Sequence, residues 1–569
     1  MFNQPVASKI TLAIIIFSAF LLRFVNLSSN PIGFNDDEAA FGYNAYSIAK
    51  TGMDEWGRLL PFPAFESFGD WKLVGYLYPV VISEMIFGPS VFAARLPSAL
   101  IGVAAVFSTY LLAKELFKTD KNSTAYGLIS TLLIAISPWH IIASRNAFES
   151  DVLIFTITMS ACFFLKALDQ HKYFKYALGM FIVSFYIYRS AWVFLPLFAA
   201  VLLLTFRKKL TGRWRSLWKY VAIAAIGLTP IVFLVFTYKG QSRFFQESFI
   251  YGVSKTGIIN DVNMRRGACD SSLSPTVCKL GYNKYLSFTT TYFNNYFENL
   301  SPQTYFTKGP ANGYQSFPNR GLFYSFELPL LIIGLATLIK RHDSTSGILI
   351  AWLLIVPIGA SFTGVGNPGR LNIIMPSPQI IEALGLVSIF AFAKSMAFKK
   401  ILFVSAVLIV AVSFSRLLLD MFYYYPYISG PYQRYGYKQL FDYLQSKKDN
   451  YLQIAVSRRS DDAKQYIHYL FDEKIDPNQI FYSQFTNRYR GDDKWQVFEQ
   501  TGNFRFYPIS PGLNQLPPKT LLAVGTLVKE VSFPIDPVFV VDYPNGDRAF
   551  EVYDIDQVKS KLNEKHNLQ

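Results

Sequence analysis

Apolar runs of about 20 residues with few charges recur along the first 420 or so residues, and that recurrence limits the chain more than anything else in it. Each run is long enough to cross a hydrocarbon core of about 30 Å as a helix, where no other open structure satisfies its backbone. Eleven such spans are predicted, at about 10–27, 92–113, 124–142, 151–168, 173–189, 191–206, 220–238, 326–340, 347–363, 371–393 and 400–419. Composition agrees. Of 569 residues 51% are hydrophobic and 17% aromatic, with 16% charged against the roughly 25% of soluble domains, which excludes an ordinary soluble enzyme. The first run lacks a small-residue cleavage site and leads straight into a charged constellation, so it reads as a span and not as a cleavable signal.

The formal net charge is +15, and its placement is informative. Residues 431–569 hold 18 Lys+Arg and 18 Asp+Glu, which leaves 36 against 21 in the first 430 and assigns the whole surplus to the apolar part. A membrane domain (residues 1–429) followed by a balanced soluble domain (430–569) fits this, and a nucleic-acid binder does not. The loops on one side carry 18 basic residues, among them Lys114, Lys118, Lys121, Arg207, Lys208, Lys209, Lys340 and Arg341, against four acids, Glu115, Asp120, Asp169 and Asp343. That side is predicted to be cytoplasmic. An odd number of spans then puts the C-terminal domain and two long loops, 28–91 and 239–325, outside. The apolar stretch 73–88 would invert every later loop if it spanned, and is read as an interfacial helix in the outer leaflet.

Cys162 lies in an apolar run as a small buried hydrophobe. Cys269 and Cys278 lie in the second outer loop, where an oxidising compartment would let them pair. Residues 430–569 read as a small α/β domain: helices over 437–447 and 461–471, a strand over 453–457, and β-like runs at 520–528, 538–542 and 550–554.

The strongest chemical signal is Phe34-Asn35-Asp36-Asp37-Glu38, directly after the first span and opening a helix-like stretch to Lys50. Acids at a helix start cap it and suit its dipole, which is one reading of the three. The same loop adds Glu55, Glu66 and Asp70 among Trp56, Phe65, Phe68 and Trp71. Carboxylates among aromatics at a membrane surface suit a site that binds sugars or cations and takes a proton from an acceptor.

These residues, with Trp-Gly-x-x-Leu-Pro (56–61), Ser-Phe-Gly-Asp-Trp-Lys (67–72), Ala-Arg-Leu-Pro-Ser-Ala-Leu (94–100), Ser-Pro-Trp-His (137–140), Phe185-Tyr186-Ile187-Tyr188, Glu327-Leu328-Pro329 and Tyr435-Gly436-Tyr437-Lys438, resemble the family 39 glycosyltransferases of the GT-C superfamily. Protein O-mannosyltransferases and lipid A aminoarabinose transferases are relatives in that family. The resemblance implies a GT-C fold of about eleven transmembrane helices with outer interfacial helices and an extracytoplasmic α/β domain. It implies an inverting transferase taking one sugar, mannose or similar, from a polyprenyl-phosphate carrier to a protein, lipid or glycan hydroxyl. The expected setting is a prokaryotic plasma membrane, with the site facing outward.

By that match Asp37 is the catalytic base, Glu38 its orienting partner and Glu149 a second acid, with Asp36 an alternative that spacing does not exclude. A lipid phosphate leaving group calls for outer cations: Lys72, Arg370, Arg243 and Arg95 are the candidates, with Arg320 a further one. Asp70, His140, Arg145, Tyr188 and Arg189 complete the site set, and Asp151 reads as a helix cap. No paired His spacing or D-x-D stands near the interface, so no cofactor is expected and a divalent metal is left open. A lipid-linked sugar flippase would want mid-span polar residues and inverted repeats. An oligosaccharide transferase or ligase of the same superfamily would want a Trp-Trp-Asp-x-Gly motif, which the chain lacks.

Overall fold

The computed structural model describes residues 6–211, 214–237, 248–250, 253–310, 313–457, 464–482, 488–490, 496–498, 500–507, 511–526 and 533–567. Arg243, expected near a phosphate, lies outside the described residues. The chain divides into two compact units, one of residues 1–25 and 98–417 and one of residues 26–97 and 418–569.

The first unit is helical. Among the described residues five helices are long and apolar enough to cross a membrane: Val6–Phe24, Val91–Leu116 (residues 91–97 belong to the second unit), Glu149–Ala167, Leu217–Val235 and Met396–Ile428 (as do residues 418–428). Two bent pairs, Ser123–Ile136 with Pro138–Ser144 and Pro368–Ile374 with Ser377–Phe392, raise this to seven. The other four expected spans are helices too, Phe174–Phe185, Ser190–Thr205, Glu327–Arg341 and Ser344–Ala360, of 12, 16, 15 and 17 residues. At 1.5 Å per residue these reach about 18–26 Å, so length alone does not establish eleven crossings.

Helices Glu327–Arg341 and Ser377–Phe392 approach through glycine. A Cβ on Gly334 would sit 2.1 Å from the Ile381 carbonyl oxygen, and one on Gly385 would sit 2.1 Å from that of Leu330. Small residues are what let membrane helices close to such distances. The second outer loop is helical over Val253–Asp270, Pro275–Gly281 and Lys284–Glu298, and a Cys269–Cys278 disulfide ties the first two while Cys162 is free and buried.

In the second unit the chain forms helix Asp36–Thr51, then a hairpin of β1 (Ala64–Ser67) and β2 (Asp70–Leu73), then helix Leu77–Phe87. That last helix has 11 residues, too few to span. The hairpin turn needs positive φ at both central residues; Gly69 has +81° and Phe68 +43°.

The C-terminal segment contributes helix Tyr437–Lys447, β3 (Gln453–Ser457), helices Gln465–Asp472 and Pro477–Tyr482, and the pair β4 (Arg488–Arg490) and β5 (Gln496–Phe498). It continues through β6 (Gln500–Thr501), β7 (Phe504–Tyr507), β8 (Thr520–Gly525), β9 (Phe539–Asp542) and β10 (Arg548–Asp554) to helix Ile555–Asn567. The six-stranded sheet has the order β6-β7-β3-β8-β10-β9, parallel at its centre and antiparallel outside it. β3 and β8 are buried on both faces, as their unbroken apolar runs require. The expected α/β character and the elements at 437–447, 453–457 and 520–554 are present. The first outer loop lies in one unit with the C-terminal segment, where its polar side chains find their partners.

Candidate functional site

Asn35 caps the helix that opens at Asp36. Its Oδ1 accepts the backbone N–H groups of Asp37 (3.0 Å) and Glu38 (3.1 Å), and Glu38 Oε2 accepts the Asn35 N–H (3.1 Å). This capping box makes Asn35 the cap and Glu38 its reciprocal partner; the three acids stand at the first three helical positions, where the helix dipole favours carboxylates.

The three then part ways. Glu38 is fully buried and takes Arg95 in a two-pronged pair, Nε to Oε1 at 2.8 Å and Nη2 to Oε2 at 2.9 Å. Arg95 also donates Nη1 to the carbonyls of Leu27 and Pro31 and Nη2 to that of Gly33. All five guanidinium N–H groups are thereby engaged. Arg95, expected at a donor phosphate, here ties the loop entering the helix to Glu38.

Asp36 is buried as well. Its Oδ2 accepts Arg434 Nε (3.1 Å) and Nη2 (2.9 Å), its Oδ1 lies 2.9 Å from His468 Nε2, and Lys464 Nζ is 3.9 Å away. Burial alone would raise its pKa, but Arg434, the His468 hydrogen bond and Lys464 together hold the carboxyl well below the usual carboxylate range.

Asp37 faces another way. Its Oδ1 accepts Lys72 Nζ at 2.5 Å, and 40% of its side chain is exposed. Lys72 also donates to Asp70 Oδ2 at 2.8 Å, and its own side chain has no exposure. Asp70 and Lys72 share one face of β2 because side chains two apart on a strand point alike. Lys72, expected at a donor phosphate, has its ammonium fully covered and held by two carboxylates.

Glu66 binds Arg58 Nη2 at 2.6 Å, with the Arg58 guanidinium 4.6 Å over the Trp71 ring. Glu55 Oε2 accepts the Tyr466 hydroxyl (3.4 Å), and that same oxygen of Tyr466 accepts the Phe68 N–H (2.9 Å), holding the strained hairpin turn. Of the eight acids in residues 28–91, seven (Asp36, Glu38, Asp54, Glu55, Glu66, Asp70 and Glu84) are buried, and Asp37 is not.

The structure thus brings Asp36, Asp37, Glu38, Asp70, Lys72 and Arg95 together in the second unit. Arg434, Lys464 and His468 escaped the sequence reading; only the Tyr435-Gly436-Tyr437-Lys438 run beside Arg434 hinted at them.

The remaining candidates lie in the first unit. Arg23 Nη2 donates to His140 Nδ1 at 2.5 Å, which leaves the ring proton on Nε2, 3.8 Å from Asp151 Oδ1. Asp151 is fully buried within this row and caps nothing, which corrects the capping expectation. Arg145 Nη1 and Nη2 donate to the carbonyls of Leu22 and Val25, closing the end of the first span. Glu149 is the first residue of its helix and is buried. Arg189 lies over the Trp192 ring, Tyr188 is half-buried, Arg320 lies between the rings of Phe317 and Tyr324, and Arg370 donates to the Thr363 carbonyl. Arg23 was not among the sequence candidates, although it is the basic residue in the last turn of a span. Among the described residues no group of three or more His, Cys, Asp or Glu could hold a metal ion.

The family model described as dolichyl-phosphate-mannose-protein mannosyltransferase matches residues 74–236. No curated protein matches the chain. Among solved structures, the Archaeoglobus fulgidus oligosaccharyltransferase tethered with an acceptor peptide containing the NVT sequon is 14% identical, over 82% of this chain and 63% of that one, with a TM-score of 0.49. The chain therefore spans less than two thirds of that protein's length. ArnT from Cupriavidus metallidurans in the apo state is 12% identical over 96% of this chain and 98% of its own, with a TM-score of 0.48. The same protein bound to undecaprenyl phosphate is 11% identical over 95% and 97%, with a TM-score of 0.49. The matched model is one of GT-C glycosyltransferases, and it is with that family of membrane enzymes that residues 74–236 share their sequence pattern.

Proposed function

We propose that the chain is an inverting glycosyltransferase of the GT-C class, with Asp37 as its general base. It moves a single sugar, mannose or similar, from a polyprenyl-phosphate carrier to a hydroxyl acceptor on the outer face of a prokaryotic plasma membrane. The observation that carries this reading is the exposure of one carboxylate among eight: Asp37 is open, and the other seven are buried. Lys72 on Oδ1 fixes the carboxylate plane and leaves Oδ2 for a substrate.

In the reaction the acceptor oxygen attacks the anomeric carbon from the face opposite the phosphate. Its proton passes to Asp37 as the carbon–oxygen bond to the phosphate breaks, and that electron pair leaves on the polyprenyl phosphate. A base so placed contributes about 10²–10⁴-fold. The basic loops expected on the cytoplasmic side support an outward-facing site, as does the disulfide in the second long loop. The donor phosphate falls to cations other than Lys72 and Arg95, with Arg370 the remaining described candidate in the first unit, where Glu149 is the second acid.

The test is turnover in proteoliposomes with a panel of polyprenyl-phosphate sugars and membrane-extract acceptors, read by mass spectrometry. One donor should be consumed by the native protein and not by Asp37→Asn. Equal turnover of the two proteins would remove the reading.

A further inference from the structure

A cavity of about 350 Å³ opens in the second unit, on the side of the acidic turn held by Asp36. That volume is at the small end of the range for small-molecule sites. Two packed helices supply its polar wall: Lys438, Gln439 and Asp442 from Tyr437–Lys447, and His468 and Asp472, one turn apart, from Gln465–Asp472. Arg434 and Tyr435 complete it from the loop before the first of these helices.

What each wall residue already binds narrows the ligand. The cations are committed: Lys438 Nζ donates to both oxygens of Asp442 (2.9 and 3.2 Å), and Arg434 and His468 hold Asp36. A phosphate would find no free cation there. Three wall residues make no side-chain hydrogen bond among the described residues: Tyr435, Gln439 and Asp472, the last in the field of Lys438. An aromatic face, an amide and a carboxylate around a small cavity match a pyranose, whose C–H face lies on a ring and whose hydroxyls donate to carboxylates and carboxamides. An apolar ligand would strip water from Asp472 and Gln439 and return nothing to them.

We propose that this cavity binds one sugar ring of a hydroxyl-rich acceptor, with Tyr435 as its platform and Gln439 and Asp472 as its hydroxyl partners. The assignment rests on the transferase reading for the word acceptor, but sugar binding itself does not need turnover. It also gives the C-terminal segment a task. The cavity and the Asp36 clamp share Arg434 and His468, so a ring held there lies next to the residues that set the acidic turn.

The experiment is saturation-transfer NMR on the full-length protein in nanodiscs, with methyl mannoside, methyl glucoside and a β-linked disaccharide as free probes. A parallel arm offers the same hexoses as glycolipid head groups in the nanodisc. Transfer to ring C–H protons should appear in at least one arm, persist in Asp37→Asn, and fall at least fivefold in Tyr435→Ala and in the isosteric Asp472→Asn. Transfer only from the embedded glycolipid identifies a lipid-borne acceptor, and transfer from the free sugar identifies a soluble glycan. Where turnover is measurable, Tyr435→Ala and Gln439→Ala should raise the acceptor KM about tenfold while kcat stays within about twofold. Absence of transfer in both arms, or equal transfer in the native protein and both cavity variants at unchanged melting temperature, overturns the proposal. Loss of turnover in Asp37→Asn with sugar binding intact would separate the two readings.

Discussion

Asp36 and Asp37 are neighbours in sequence and opposites in circumstance. Asp36 is buried against a guanidinium, an imidazole and an ammonium, and no oxygen is left to meet a substrate. Asp37 meets one ammonium through one oxygen and is open on the other side. Successive positions at the start of a helix are rotated by about 100°, so one residue of register sends one carboxylate into the protein and the other out of it. Chemical identity therefore does not decide which of two adjacent acids can work as a base. The surroundings do, and here they include residues about 400 positions away.

The sharpest way to break this contrast is to neutralise each acid in turn. Asp37→Asn should lower turnover by about 10²–10⁴-fold with an unchanged melting temperature. Asp36→Asn should lower turnover by about tenfold and also lower the melting temperature, since it removes the negative charge that faces buried Arg434 and His468. The reverse order of the two variants would assign the base to Asp36.

Next in size is the anchor. Arg95→Ala removes the cation that faces the buried Glu38 carboxylate and the donor to three carbonyls, and a buried pair broken on one side costs about 3–5 kcal/mol. Its melting temperature in detergent should fall further than that of Asp36→Asn. An unchanged melting temperature would contradict the anchoring role. A smaller effect is expected for Lys72→Met, which frees the Asp37 carboxylate to rotate: turnover should drop about 10–100-fold, the scale of a misplaced catalytic group. If Lys72 bound the donor phosphate instead, the variant would raise the donor KM and spare kcat.

The smallest effect is a pH dependence on the cavity side. Burial, only partly offset by Lys438 and reinforced by Glu473 and Asp442, raises the Asp472 carboxyl to about 7; His468 faces the same cavity. A carboxyl whose pKa is raised on folding stabilises the fold below its unfolded value near 4 and loses that contribution as pH climbs through about 7. Asp472→Asn should therefore melt about 3 °C above the native protein at pH 8 and level with it at pH 4.5. Equal gaps at both pH values would show that Asp472 does not titrate in this window.

The contrast also explains what could be read in advance. All eleven apolar runs became helices, because hydropathy is a local property. Four of them are shorter than a crossing, and two are broken at Ser137 and near Pro376, so counting spans needed geometry. The acidic turn was legible from its position after a span and before a helix. Its wiring was not. Lys72 and Arg95 stood out as cations, but nothing local distinguishes a cation that meets a phosphate from one already held by a carboxylate. Arg434 and His468 lie 398 and 432 residues from Asp36, beyond any periodicity or spacing argument.

That separation has a consequence for how the protein comes into being. The acidic turn leaves the ribosome 432 residues ahead of His468, roughly 20–90 s at ordinary elongation rates of about 5–20 residues per second. Through that interval Asp36 has neither its guanidinium nor its imidazole, and Phe68 lacks the hydroxyl that holds its turn. The nascent chain can insert its helices one after another while the turn that carries Asp37 is still unset. The surroundings of Asp36 are thus completed only after Arg434 and His468 have been made.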